Sequence, residues 1–379
     1  MSTIIRTRSP YFIRTTNYTS PTYDIDYFQM NISIYEGISG ELPTCGGIFG
    51  QYTLKKKVLP NETSVTFDIS EIVNDHFEQK FNGTFSVSAQ TQSMWVQVTV
   101  TGYETDGSAI SPAVTNTYLA QEGFNKFKEG VNYITEPIAM ISGNYYEYHK
   151  GSNLVLPLNK EKVNSVAWKL NGTTIYTDTI TDNGNSNQKI FYSTRSNTST
   201  QEYDEAYIIY DDEEATSITL KEIEECKFGV HKITFLNRWG ALQNLFFHKK
   251  SVETLDTRNE TFNRSIFKPR TVTYSEREGE CDETYTYNTY NVNAHSKKVH
   301  NANGTESILL NSGFVDERMN DYFEELMVSE YIWLTDDENV IYPVTLKDSN
   351  FTYKTGLNDR LINYTMNFEK AFNLVNDIR

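Results

Sequence analysis

The chain has 379 residues, 38% of them hydrophobic, with a net charge of −16, enough length for two or three domains that each bury a core. Its acidic residues are spread along the sequence, which disfavours a broad nucleic-acid-binding face because like charge repels the phosphate backbone. No apolar run approaches a membrane span, and the stretch Met1–Thr16 lacks the apolar core of a secretory signal.

The 26 Tyr and 21 Phe suit pleated, half-buried strands, and the composition predicts a mainly β protein. Residues 1–137 read as a β-rich, sandwich-like unit. Tyr27–Tyr35 alternates apolar and polar residues, as do Gln51–Leu54, Ser64–Ile69, Thr84–Ser88 and Met94–Val100. The triplet Lys55-Lys56-Lys57 reads as a solvated strand end. Between these strands, Ser70–Phe77 places apolar residues at helical spacing, with Ser70 as the expected N-cap.

Residues 138–250 read as an immunoglobulin-like β-sandwich. Ser165–Leu170 and Thr173–Tyr176 flank Asn171-Gly172, a strong hairpin signal. A Trp early in one strand, Trp168, suits that fold, although the usual cysteine pair is absent. Further strands are expected at Ala206–Tyr210, Ser217–Leu220 and Lys232–Leu236. Next comes Phe235–Phe247, FLNRWGALQNLFF. Here Asn237 and Gly240 tolerate the positive φ of a tight reversal, making Arg238 and Trp239 a hairpin corner.

Residues 251–379 read as an α+β unit. Thr284–Tyr290 alternates, Asn301–Gly304 reads as a loop, and Ser307–Leu310 as a strand. Glu317–Met327 is the best helix, with Met319, Tyr322, Phe323, Leu326 and Met327 on one face and acids on the other. Tyr331–Leu334 and Val340–Val344 form a hairpin around Asp336–Asn339, and Leu361–Phe368 is the last strand, followed by a short amphipathic tail.

Signals of chemistry are sparse. Cys45, Cys226 and Cys281 are far apart and in no CxxC pattern, which argues against a disulfide framework or structural zinc and for a reducing compartment. No HExxH, GxSxG or GxxxxGK[ST] occurs, and His295 and His300 read as a solvated loop pair. Asp178–Gly184 lacks the ligand order of a calcium loop. A carboxylate dyad cannot be picked out by spacing among 50 acids. The expectation is therefore a protein without catalytic, metal or cofactor residues, in which Arg238, Trp239 and Trp333 are interface or packing candidates.

The Asn237-Arg238-Trp239-Gly240 corner after Ile233–Leu236 resembles a motif of uncharacterised structural proteins from bacteriophages that infect Bacteroidota. So do the C-terminal runs Glu325–Leu334, Tyr342-Pro343-Val344 and Asn363–Ala371. They are similar to proteins of crAss-like phages, whose short tails are built from stacked collar rings, a tail hub and a muzzle. The resemblance spans about the second half of the chain. It implies a virion ring or collar protein of the neck or tail, assembled in the host cytoplasm as a cyclic homo-oligomer. Its implied partners are its own copies, the portal, neighbouring ring proteins, and the hub or muzzle, with no sequence-specific nucleic acid and no membrane span. Two alternatives are a receptor-binding tail or head fibre, and a tail-associated carbohydrate-active enzyme.

Overall fold

The computed structural model describes residues 4–15, 25–44, 46–59, 62, 64–85, 93–110, 113–133, 135–181, 184, 186–196, 202–211, 214–224, 227–274, 283–355 and 362–375. Cys45, Cys226 and Cys281 lie outside these residues, as do Ser86–Ser88. The protein is mainly β.

The first unit comprises β1 (Ile4–Arg6), β2 (Phe12–Arg14), β3 (Ile25–Tyr35), β4 (Ile48–Lys57), β5 (Thr66–Asp68), α1 (Ser70–Asn74), β6 (Ser93–Glu104) and β7 (Val114–Gln121). One sheet runs β1-β7-β6-β3-β4, and β2 pairs β5. The period-two pattern of β3 points Phe28, Met30, Ile32 and Ile34 into the core, with Val96 and Val98 of β6, Ile69 just before α1 and Val73 within it. The lysine triplet ends the exposed edge strand β4, where charge discourages pairing with another sheet. Ser70 is the first residue of α1 rather than its cap. Asp68 instead accepts from the Ser70 N–H and hydroxyl, at 3.1 and 2.7 Å. Thr84 and Phe85 lie outside any strand, and Phe85 packs on Phe81 with ring centroids 5.1 Å apart.

The second unit holds β8 (Tyr145–His149), β9 (Asn153–Asn159), β10 (Val163–Leu170), β11 (Thr173–Thr179), β12 (Ile190–Ser196), β13 (Glu205–Tyr210) and β14 (Glu214–Ile223). A five-stranded sheet, β11-β10-β13-β14-β8, faces the pair β12-β9. Trp168 is buried between them and donates from Nε1 to Ser193 Oγ at 3.0 Å. Asn171 and Gly172 take φ of 50° and 76°, the two positive values a tight hairpin turn needs. Asp178 pairs with Arg195 and Ser193.

The third sheet begins with β15 (His231–Leu236) and β16 (Leu242–Phe247), followed by β17 (Val252–Asn263), β18 (Lys268–Tyr274), β19 (Glu283–Thr289) and β20 (Lys297–Val315). After a 3-10 turn, Glu317–Met319, come α2 (Asn320–Met327), β21 (Ile332–Thr335), β22 (Ile341–Leu346) and β23 (Ile362–Asn373). Its order is β16-β15-β21-β22-β23-β20-β17. Thus the hairpin His231–Phe247 joins its sheet through the β15–β21 ladder, and among the described residues it shares no ladder with the second unit's strands. The sheet curls until the Lys249 N–H meets Asn311 O at 3.2 Å.

Asn301–Gly304 is strand, not loop, and His300 lies in β20 with it. Gly304 sits opposite Thr257, and a Cβ on it would crowd only the movable end of the exposed Leu255 side chain, at 2.9 Å from Cδ1. Strand β23 likewise continues to Asn373, through the first part of the expected tail. In α2 the apolar face is as expected, but Glu325 is buried with it.

One core joins the second and third units. Tyr146, Trp168, Phe235, Phe247, Phe323 and Phe368 belong to the same buried cluster, each contributing about 1.5–3 kcal/mol by burial. Buried tyrosines keep their hydroxyls bonded: Tyr146 to Asn244 O at 3.0 Å, Tyr148 to Tyr203 O at 2.9 Å, and Tyr322 to Tyr145 O at 2.6 Å. The last of these ties α2 to β8.

Candidate functional site

The Asn237–Gly240 corner lies at the meeting point of all three units. Asn237 shapes it through its side chain: Oδ1 accepts from the N–H groups of Trp239 and Ala241, both at 3.0 Å. Its amide donates to Met140 O at 2.7 Å and Gln243 Oε1 at 2.9 Å. Only Gly240 takes a positive φ, 76°, so the expected left-handed Asn237 is replaced by this side-chain turn. A Cβ on Gly240 would stand 2.9 Å from Glu122 O, and one on Gly123 would stand 2.3 Å from Arg238 O. Glycine at both places lets the first unit touch the corner, where the Phe124 N–H donates to Arg238 O at 3.0 Å.

Charge fills the junction. Arg6 donates to Trp239 O at 2.6 Å and to Gln121 Oε1 at 2.5 Å. One Arg238 nitrogen reaches both oxygens of Glu129, at 2.7 and 2.8 Å, while its backbone N–H meets Glu325 Oε2 at 3.3 Å. Both guanidinium carbons stand near the Trp239 ring, Arg238 at 4.3 Å and Arg6 at 5.3 Å from its centroid. Burial, then the Arg238 charge, push Arg6 down to about 9, which leaves it cationic at neutral pH. Burial pushes the Glu325 carboxyl up to about 7 against the opposing pull of Arg238, and Glu122 is likewise pushed up to about 7. Trp333 sits in an adjoining cluster with Trp239 and Phe81. With exposures of 8%, 9% and 8%, Arg238, Trp239 and Trp333 are packed inside one chain, and none offers a free face to a ligand.

The exposed feature is an arm. Strands β17 and β20 pair over the full length of β17, from Val252↔Leu309 to Asn263↔Lys297. Beyond Thr305, where β23 leaves β20, they form a two-stranded ribbon. The β18–β19 hairpin extends it, each strand pairing only with the other among the described residues. At about 3.3 Å per residue, each seven-residue strand of that hairpin spans roughly 23 Å. Phe262, Phe267, Tyr285, Tyr287 and Tyr290 stand exposed along the arm.

At its shoulder, one mouth of the curled sheet forms a cleft of about 430 Å³. Leu255, Ile308, Leu334 and Tyr342 supply apolar lining, and Glu253, Glu306, Asp336, Asp337 and Glu338 supply acid. Lys370 pairs with Glu306. His231 lines the cleft with Nδ1 unbonded, and burial lowers its pKa, favouring the neutral ring.

One group of three carboxylates among the described residues, Glu202, Glu222 and Glu224, has ligand atoms within 4.8 Å of one another. The Lys150 ammonium lies 3.6 Å from Glu222 and 2.7 Å from Glu224 and offsets their charge.

Sequence reading singled out the corner residues but neither the arm nor the cleft. The arm's signal was present in the alternating Tyr-Thr run of β19. The cleft joins residues from 231 to 370, a juxtaposition that no local pattern carries.

No family model matches the chain, and no curated protein matches it. Among solved structures, the periplasmic chaperone SfaE is 12% identical and aligns over 57% of this chain and 96% of its own, with a TM-score of 0.16. A score at that level carries no argument about fold or function. No helix among the described residues is long and apolar enough to cross a membrane.

Proposed function

We propose that the chain is a bacteriophage virion structural protein, a ring or collar component of the neck or short tail that assembles into a cyclic oligomer. The observation that carries this reading is the arm. A two-stranded ribbon with exposed aromatics and open ladder edges is at best marginally stable in water, and it gains most from a neighbouring subunit. Aromatic and Arg side chains are the types that dominate such contacts. A contact between an arm and a different surface of the next copy is heterologous, and it closes into a ring when its rotation matches a cyclic symmetry.

The phage assignment rests on the resemblance carried by Asn237–Gly240 and the C-terminal runs. On this reading the partners are further copies, the portal, neighbouring ring proteins, and the hub or muzzle. Negative-stain microscopy and mass measurement of the purified protein, alone and with virion partners, test it. Closed rings are expected; a persistent monomer that never joins particles would overturn the reading. Exposed Tyr285, Tyr287 and Tyr290 favour one second reading, a receptor-binding fibre, which a glycan array would reveal by specific binding lost on their replacement with Ser.

A further inference from the structure

The arm and the body differ in charge. By sequence, residues 258–300 carry seven basic side chains against six acids, five of those acids falling within 276–283. Away from that tip end the charged residues are Arg258, Arg264, Lys268, Arg270, Lys297 and Lys298 against Glu260 alone, on a chain whose net charge is −16. In the β18–β19 hairpin the register sets Lys268 opposite Thr289, Arg270 opposite Tyr287 and Val272 opposite Tyr285. Side chains alternate across a strand, so Lys268, Arg270, Val272, Tyr285 and Tyr287 share one face. The other face carries Pro269 opposite Asn288 and two threonine pairs, with the Thr271 and Thr286 hydroxyls 3.1 Å apart.

The shoulder cleft has the complementary character. Its apolar lining suits tyrosine and valine, and its acids suit lysine and arginine. Among the described residues Glu253, Asp337 and Glu338 have no ion-pair partner, and Asp337 and Glu338 are exposed. Charge of opposite sign on two separate surfaces steers association and fixes its register.

We infer that the Lys268–Arg270–Tyr287 face of one copy's arm docks in the acidic shoulder cleft, lined by Glu253, Asp337 and Glu338, of a second copy. This rests on the ring reading and assigns its joining contact. The two docking surfaces are distinct, so each copy gives one arm and receives one, as a closed ring requires.

Charge reversal of the full chain tests the contact. The arm variant is Lys268→Glu with Arg270→Glu, and the cleft variant is Asp337→Lys with Glu338→Lys. Sedimentation velocity reads assembly, and thermal melting confirms that both variants, altered only at exposed positions, remain folded. Each variant alone is expected to need about tenfold or more protein for half-assembly than the unmodified chain. An equimolar mixture should regain assembly, because a reversed arm meets a reversed cleft and an original arm meets an original cleft. The quadruple variant should assemble alone for the same reason. If the unmodified chain forms rings and both variants do so equally well, the arm contact is wrong and the ring reading stands. If both variants lose assembly but neither the mixture nor the quadruple variant regains it, this pairing is wrong. An unmodified chain that is monomeric at every concentration overturns both.

Discussion

Glu325 shows how one buried carboxyl makes the junction sensitive to pH. Its pKa in the folded chain, raised by burial to about 7, exceeds the ordinary value of 4.5. Between those values the folded state binds the extra proton. The contribution of Glu325 to stability is therefore greatest below about pH 4.5, falls as pH rises towards 7, and levels off above it. The cost at pH 8 is on the order of 3 kcal/mol. Glutamine keeps an oxygen for the Arg238 N–H and removes the charge. We expect Glu325→Gln to raise the melting temperature at pH 8, with the gain shrinking to nothing near pH 4, as calorimetry at both pH values would read. A melting temperature unchanged at pH 8 would show that the carboxylate is not desolvated. Glu325 was placed by sequence on the solvent side of its helix, because helical periodicity describes one partner face. Here α2 meets the sheet on one side and the corner on the other.

Among the elements, the arm is the one whose removal should leave the rest intact. Its strand β17 is exposed at every residue, so little of the core depends on it. Replacing residues 258–300 with a short Asn-Gly turn should leave the body's melting temperature within a few degrees, because exposed substitutions usually cost under about 0.5 kcal/mol each. Differential scanning fluorimetry would read this, and a collapse of the transition would mean that the arm supports the core. Legibility in the sequence followed the environment of each strand. Half-buried β3 and β6 alternate and were readable. Tyr145–Tyr148 in β8 and Leu154–Leu158 in β9 are buried along nearly their whole length and show no period of two. The three residues of β1 are too few to show one. Asn301–Gly304 misled because turn chemistry is legible locally, whereas its pairing with Thr257–Glu260 comes from the opposite strand.

For the whole molecule, the shared core predicts which pieces fold. Residues 138–250 alone would keep hairpin β15–β16 without β21 and would expose Tyr146, Phe235 and Phe247. We expect that fragment to be insoluble or unfolded by circular dichroism, and residues 138–379 to melt in one cooperative transition. A folded, monomeric 138–250 fragment would contradict the single core. Sequence reading saw three modules in series because turns and composition change near 137 and 250. It could not see that the second and third units close over one interior, since that depends on contacts between residues as far apart as Tyr145 and Tyr322. The junction was equally hidden: Arg6, Glu129, Arg238 and Glu325 are drawn together only by the fold.

The nineteen-residue strand β20 begins in the arm and ends in the body, flanked there by β23 and bordered by β17 along the way. Ladder hydrogen bonds lie across the strand direction. A pull on the arm along β20 therefore loads these bonds sideways and together, as in shear, instead of opening them one at a time as in a zip. A subunit held by such an arm can pass tension directly into its neighbour's framework, so the same strand that reaches outward also anchors the load.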